Sequence, residues 1–355
     1  MSQSRRSRRV TGQVLLAAIG IPIASLGVLA VLAIWFDLLG PGDALLGMGL
    51  ALIPLAIVVA GIAWVDRWER EPRWAVALAL LWGAGFCALI GVFVGVDLSE
   101  AGRQGALFAA IVQAPVVEEV AKALLLLMLL LVARRQIDGP VDGIVYAAWT
   151  AAGFAFVENM LYFGIEFANG GDVPALFIIR GLMSPFAHVM FGACVGIAVG
   201  AAVRRGRGTW RLLGAWCLGL VPAIALHALW NGALYLVADF YAYYLLVQLP
   251  LFGGMVWAVL WFRGEERRIT ADRLDEFAAA GWLHRSEVSS VATREGRRRS
   301  LEWARRSGRT AAMQAYIRAA TRLAFAGQRV RTGGDPDEIA QAREAFVAAR
   351  AEIQR

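Results

Sequence analysis

The stretch APVVEEVAKALLLLMLLLVA, Ala114–Ala133, decides the fold class. It is long enough to cross ~30 Å of hydrocarbon as a helix, yet it carries Glu118, Glu119 and Lys122 ahead of an unbroken leucine-rich run. Ionisable side chains at such depth cost about 2.5–3.5 kcal/mol each on insertion scales, so they turn away from lipid toward the interior of a bundle. The stretch therefore reads as one member of a group of spans around a polar centre.

Its surroundings agree. Of 355 residues, 59% are hydrophobic and 18% charged, a balance far too apolar for a soluble chain of this length. Apolar runs place approximate spans at 14–36, 44–65, 74–96, 105–133, 143–165, 177–203, 212–237 and 241–262. The expectation is an all-α fold, a polytopic transmembrane helix bundle of about eight spans in a lipid bilayer. The first run is too long for a signal-peptide core and lacks a small-residue cleavage site, so it reads as a retained span. Cys87, Cys194 and Cys217 all fall within spans, and an odd number inside spans implies no disulfide framework.

Arginines alternate between the loops. Arg5, Arg6, Arg8 and Arg9 precede the first span; Arg67, Arg70 and Arg73 follow the second; Arg134 and Arg135 follow the fourth; Arg204, Arg205, Arg207 and Arg211 follow the sixth. The opposite loops, around 37–43, 97–104, 166–175 and 238–240, hold Arg103 as their one basic residue. The positive-inside rule then puts both termini in the cytoplasm of a bacterial-type cell membrane. This bias accounts for the net charge of +7, so no nucleic-acid partner is expected.

The expected boundary lies at 263/264, with a transmembrane part at 1–263 and a basic, helical cytoplasmic extension at 264–355. Gly281 and Gly308 punctuate the extension. Asp335-Pro336-Asp337-Glu338 supplies a capping aspartate, a first-turn proline and an N3 glutamate for a last helix to about Ile353. Arg297, Arg298 and Arg299 form a face suited to anionic lipid or plain solvation.

Five further polar positions fall inside spans: Glu158, with Asn159 beside it, His188, and His227, with Asn231 one turn on. With the spans alternating in direction, Glu118, Glu158, His188 and His227 fall in one layer between the midplane and the outer face. Glu118 and Glu119 point about 100° apart on a helix, so their jobs differ. Lys122, the single lysine of the chain, is within reach of both. Glu158 has no local partner. His188 begins a stripe with Gly192, Gly196 and Gly200, a ridge that admits a close helix neighbour. Pro115, Pro185 and Pro222 precede three of the polar groups and can bend their helices around a cavity.

Hydrolysis of a peptide bond needs an activated water, a proton donor for the amine and oxyanion stabilisation. Two accounts meet these needs. In one, Glu158, His188 and His227 ligate a catalytic zinc whose fourth position is water. In the other there is no cofactor; Glu118 and Glu158 hold the water while His227 and Asn231 donate to the oxyanion. No HExxH spacing is present on one helix, and spacing alone leaves metal and glutamic mechanisms both open. A cation- or proton-coupled transporter and a non-catalytic membrane scaffold are the rival classes, although no inverted pair of acidic, interrupted spans supports transport.

The ordered set EEVAK at 118–122, FAFVEN at 154–159, His188 and HALWN at 227–231 resembles the PrsW family of bacterial intramembrane proteases, which is distantly similar to the CAAX prenyl protease and bacteriocin-processing superfamily. Against that superfamily's EExxxR and FxxxH, Lys122 stands one residue early and Glu158 replaces the histidine. The resemblance implies cleavage of a membrane-anchored protein substrate, such as an anti-sigma factor, and catalytic importance for Glu118, Glu119, Glu158, His188 and His227. Asn231 joins these as a catalytic candidate, and Lys122 and Asn159 as supporting residues.

Overall fold

The computed structural model describes residues 2–96, 102–133, 136–206 and 208–354, and those residues are helical with no strand among them. Part of one expected outer loop, 97–101, and the basic residues Arg134, Arg135 and Arg207 lie outside the described residues. Long apolar runs without water to satisfy their backbone leave helix as the one local solution for an isolated span.

The membrane part comprises α1 (Ser2–Leu39), α2 (Pro41–Val65) and α3, which runs from Arg73–Leu81 through a π-turn at Trp82–Cys87 into Ala88–Val96. Helix α4 runs from Gly102–Phe108 through a π-turn at Ala109–Gln113 into Ala114–Val132. Helix α5 is Pro140–Ala168; α6 is Val173–Phe177 with a π-turn at Ile178–Met183; α7 is Ala187–Arg205; α8 is Thr209–Leu236. Helix α9 begins at Phe240–Tyr243, passes a π-turn at Tyr244–Gln248 and continues over Leu249–Ala279, straight through Arg263.

Seven stretches among the described residues are long and apolar enough to cross a membrane, rather than the eight expected. The difference is α4: it has the length, but Glu118, Glu119 and Lys122 make it too polar to qualify by composition. The expected span at 177–203 is also two pieces. Ser184–Phe186 interrupt it, because Pro185 has no N–H to continue the ladder, and Ser184 Oγ instead donates to the Ile179 carbonyl at 2.8 Å.

Helix α5 is the hub, and glycines set its contacts. A Cβ on Gly143 would collide with the backbone of Gly196 in α7, one on Gly200 with Gly139, and one on Gly153 with Leu80 of α3. The expected small-residue ridge of α7 thus faces α5 at backbone contact. At the end where α5 begins, the Tyr146 hydroxyl donates to Glu71 and Asp66 Oδ1 accepts from the Glu71 N–H at 3.1 Å. Loops 66–72 and 136–139 therefore share one end, as the arginine alternation requires. Burial pushes the Glu71 carboxyl well above its usual range and Asp66 up to about 6.

The chain divides into two compact units, residues 1–202 with 209–256, and 203–208 with 257–355. The second adds α10 (Arg285–Ala292), α11 (Arg294–Arg306), α12 (Thr310–Arg331) and α13 (Asp337–Gln354). Its core includes Leu274, Val291, Leu323 and Phe346. Gly281 and Gly308 adopt positive φ at helix ends. Glu338 departs from the expected capping role, because its carboxylate accepts from Arg329 Nε at 2.9 Å. Arg297 is likewise structural, donating to the Val291 carbonyl and Thr321 Oγ1 at 2.6 Å each.

Gly143→Ala should destabilise by about 1–3 kcal/mol, the usual cost of overpacking, seen as a lower melting temperature in detergent. Gly91→Ala, where a Cβ meets open space, should leave melting unchanged or slightly raised.

Candidate metal and proton-transfer centre

Pro115 lacks an N–H and its ring crowds the carbonyl four residues back; the π-turn Ala109–Gln113 just ahead of it widens the helix there. Asn231 Nδ2 donates to the Ala110 carbonyl in that turn at 2.8 Å. One N–H of the amide is thereby tied to helix α4, and the expected oxyanion role would fall to the other. Two indoles fix the next turns of α4: Trp82 donates to the Ala121 carbonyl at 3.0 Å and Trp216 to the Ala123 carbonyl at 2.8 Å. Such π-turns commonly mark functional sites.

These restraints aim Glu118, Glu119 and Lys122 inward. Lys122 Nζ lies 3.3 Å from Glu118 Oε2, 2.9 Å from Glu119 Oε1 and 3.3 Å from His188 Nδ1, and 3.9 Å above the Phe154 ring. His227 Nδ1 lies 3.0 Å from Glu119 Oε1, and His227 Nε2 lies 3.9 Å from Glu118 Oε2. His188 Nε2 lies 2.9 Å from Glu158 Oε2. The imidazoles are edge-on to each other at 5.2 Å, and Phe191 stacks on His227 at 4.9 Å. The structure thus gathers Glu118, Glu119, Lys122, Glu158, His188 and His227 into one connected cluster. A cleft of about 170 Å³ opens on Glu118 and Glu158, walled by Trp35, Val92, Phe154 and Leu161.

The partners dictate the tautomers. A carboxylate accepts only and an ammonium donates only, so His188 carries its proton on Nε2, toward Glu158, and leaves Nδ1 bare. His227 is the reverse: Nδ1–H donates to Glu119 and Nε2 is bare, facing Glu118. The unprotonated Nδ1 of His188 meets the Lys122 ammonium at 3.3 Å, and Nε2 of His227 faces Glu118 Oε2 at 3.9 Å. Glu118, His188 and His227 each offer a ligand atom, all within 4.8 Å of one another. Glu118 stands in that trio where the sequence suggested Glu158, because Glu158 is held from the other side by Arg180.

Arg180 escaped the sequence reading. Its Nη2 is 2.5 Å from Glu158 Oε2 and its Nε donates to Asn159 Oδ1 at 2.8 Å, so neither Glu158 nor Asn159 lacks a partner. An arginine inside an expected apolar span, at 177–203, was the available signal. The aromatic neighbours Phe191, Trp82 and Trp216 carried no signal, since membrane helices are rich in such residues.

Comparisons with known proteins agree with one another. A family model described as "PrsW family intramembrane metalloprotease" matches residues 71–255. The protease PrsW of Clostridioides difficile (strain 630) is 31% identical over 186 residues, 51% of this chain and 76% of that protein. The protease PrsW of Oceanobacillus iheyensis is 28% identical over 161 residues, covering 42% and 70% of the two chains. The protease PrsW of Geobacillus kaustophilus is 39% identical over 67 residues, 19% and 27% of the chains. No solved structure matches.

Lys122→Met should cost about 3–5 kcal/mol, the usual result of stripping a buried pair of one partner, and appear as lost folded yield or a lowered melting temperature. Adding Glu119→Gln to the same chain should restore part of that loss.

Proposed function

This chain belongs to the PrsW family of intramembrane metalloproteases, and from that premise we propose that Glu118, His188 and His227 form the centre of a membrane-embedded peptidase acting on membrane-anchored proteins. The observation that carries the reading is the buried trio itself: Glu118, His188 and His227 each offer a ligand atom within 4.8 Å of the others, while each imidazole gives one ring nitrogen to a carboxylate, Glu158 for His188 and Glu119 for His227.

The donor set suits zinc. Two imidazole nitrogens and one carboxylate are a common catalytic trio, and each imidazole gives its other N–H to a carboxylate, Glu119 for His227 and Glu158 for His188. That second layer fixes ring orientation and raises ligand basicity. The Lys122 ammonium touches Glu118 and His188 Nδ1, so it would have to withdraw from that nitrogen for His188 to ligate. When bound, zinc would act as a Lewis acid, polarising the scissile carbonyl and acidifying a water.

The chain's own residues do the rest. Glu118 lines the cleft and faces His227; it would supply the carboxylate of the metal trio, and in the reading without metal it takes the proton of the attacking water. Lys122 lies beside it as a fixed cation for the negative charge that develops on the carbonyl oxygen. Glu119, 1% exposed, orients His227 rather than meeting substrate. The apolar walls of the cleft exclude bulk water and suit an unwound segment of a single-span protein, of the anti-sigma-factor kind. One observation favours a second reading without metal: the Lys122 ammonium occupies the bare nitrogen of His188, so it can serve as the centre's permanent cation while Glu118 and Glu158 hold the water.

The arginine distribution supports cytoplasmic termini. The extension from residue 264 then contributes regulation or localisation rather than chemistry.

The test uses purified chain and a tagged single-span membrane protein that it cleaves. About one zinc per chain, lost in His188→Ala and His227→Ala, with cleavage stopped by chelator and restored by zinc, is the expected result. Glu118→Gln should fold and lose at least about a hundredfold in rate, because it removes the carboxylate that holds the ion in one reading and the general base in the other. Full cleavage by metal-free protein would decide for the second reading. Wild-type cleavage by Glu118→Gln would overturn both.

A further inference from the structure

We propose that Arg180 is a positioning residue of this centre: its guanidinium aims the Glu158 carboxylate at His188 and so fixes the imidazole whose Nδ1 meets Lys122 beside Glu118. The inference rests on the reading of Glu118, His188 and His227 given above and extends it to a residue outside every motif noted in the sequence.

The geometry is specific. Arg180 Nη2 and His188 Nε2 meet the same oxygen, Glu158 Oε2, at 2.5 and 2.9 Å. Arg180 Nε simultaneously donates to Asn159 Oδ1 at 2.8 Å, and the guanidinium carbon lies 4.0 Å above the Tyr162 ring. One planar group is therefore held by three residues of helix α5, two by hydrogen bonds and one by its face. A fork of fixed N–H directions with a stacking plane is what arginine offers and lysine does not. The side chain is 14% exposed, so its pairing is shielded from bulk water and little screened by salt.

The backbone around Arg180 is adapted to the same end. It lies in the π-turn Ile178–Met183, and Ser184 Oγ caps the Ile179 carbonyl before the chain breaks and restarts at Ala187 as the helix carrying His188. Arg180 and His188 thus flank the break and converge on one carboxylate oxygen. A purely structural tie between helices α5 and α6 would need no shared atom with His188. With the shared oxygen, removing Arg180 frees Glu158 to rotate, and His188 loses the acceptor that holds its ring.

The chain has three histidines, so ring-nitrogen spectra of the full-length protein with ¹⁵N-labelled histidine are simple, and His284→Gln removes the one outside the membrane part. In wild type, His188 should show a downfield, hydrogen-bonded Nε2–H. In Arg180→Met that resonance should shift or be lost. Cleavage of the single-span reporter should fall about 10–100-fold in kcat with KM nearly unchanged, the usual loss for a group that orients a ligand. Arg180→Lys should recover part of both. In a Glu158→Gln background, Arg180→Met should add little, because the residue through which it acts is already altered. An unchanged His188 resonance and rate in Arg180→Met would overturn the proposal, as would an undiminished Arg180→Met effect beside Glu158→Gln. Should Arg180→Met not insert, Arg180→Lys carries both readouts, and wild-type values there would overturn it equally. Wild-type cleavage by Glu118→Gln would instead sink the reading of the centre while the His188 resonance still reports on Arg180.

Discussion

One ammonium organises this protein. Lys122 lies within 3.3 Å of Glu118, Glu119 and His188 Nδ1 and beneath it is the face of Phe154. Two carboxylates on consecutive residues of a membrane helix are untenable without such a counter-charge, and the ammonium is equally untenable without them. The interaction spans helices α4, α5 and α7, so its formation requires that these approach closely. The helices have been shaped to allow it.

That shaping is done by small residues and by irregular turns. Gly143 against Gly196 and Gly200 against Gly139 bring α5 and α7 into backbone contact, which places Phe154 and Glu158 opposite His188. The π-turns before Glu118 and around Arg180 re-aim side chains that a regular helix would direct elsewhere. Indole donors from Trp82 and Trp216 occupy carbonyls of α4 on either side of Lys122. Polar centre and apolar scaffold are thus one design: charges fix which faces converge, and glycines fix how near they come.

Much of this was legible in the sequence. Expense made it so: Glu118, Glu119, Lys122, Glu158, His188 and His227 are too costly in hydrocarbon to be scattered, and the structure gathers all six. Other features were hidden because they depend on three-dimensional partners. Glu158 looked unpaired because its partner Arg180 lies 22 residues away across a loop. Asn231 looked like a neighbour of His227 at one helical turn, but the π-turn of α4 presents a carbonyl that captures it. The break at Ser184–Phe186 follows from Pro185 but was read as a bend, since hydropathy is indifferent to backbone continuity. Helix α4 has the length of a span, but Glu118, Glu119 and Lys122 make it less apolar than its neighbours.

X-ray absorption at the zinc edge of the zinc-loaded, full-length protein tests the central claim most directly, because it reads the ligands rather than the activity. The account predicts a four-coordinate ion with two imidazole nitrogens and carboxylate oxygen, changing to one imidazole in His188→Ala and in His227→Ala. Zinc held with no imidazole, or with a spectrum indifferent to both substitutions, would contradict it.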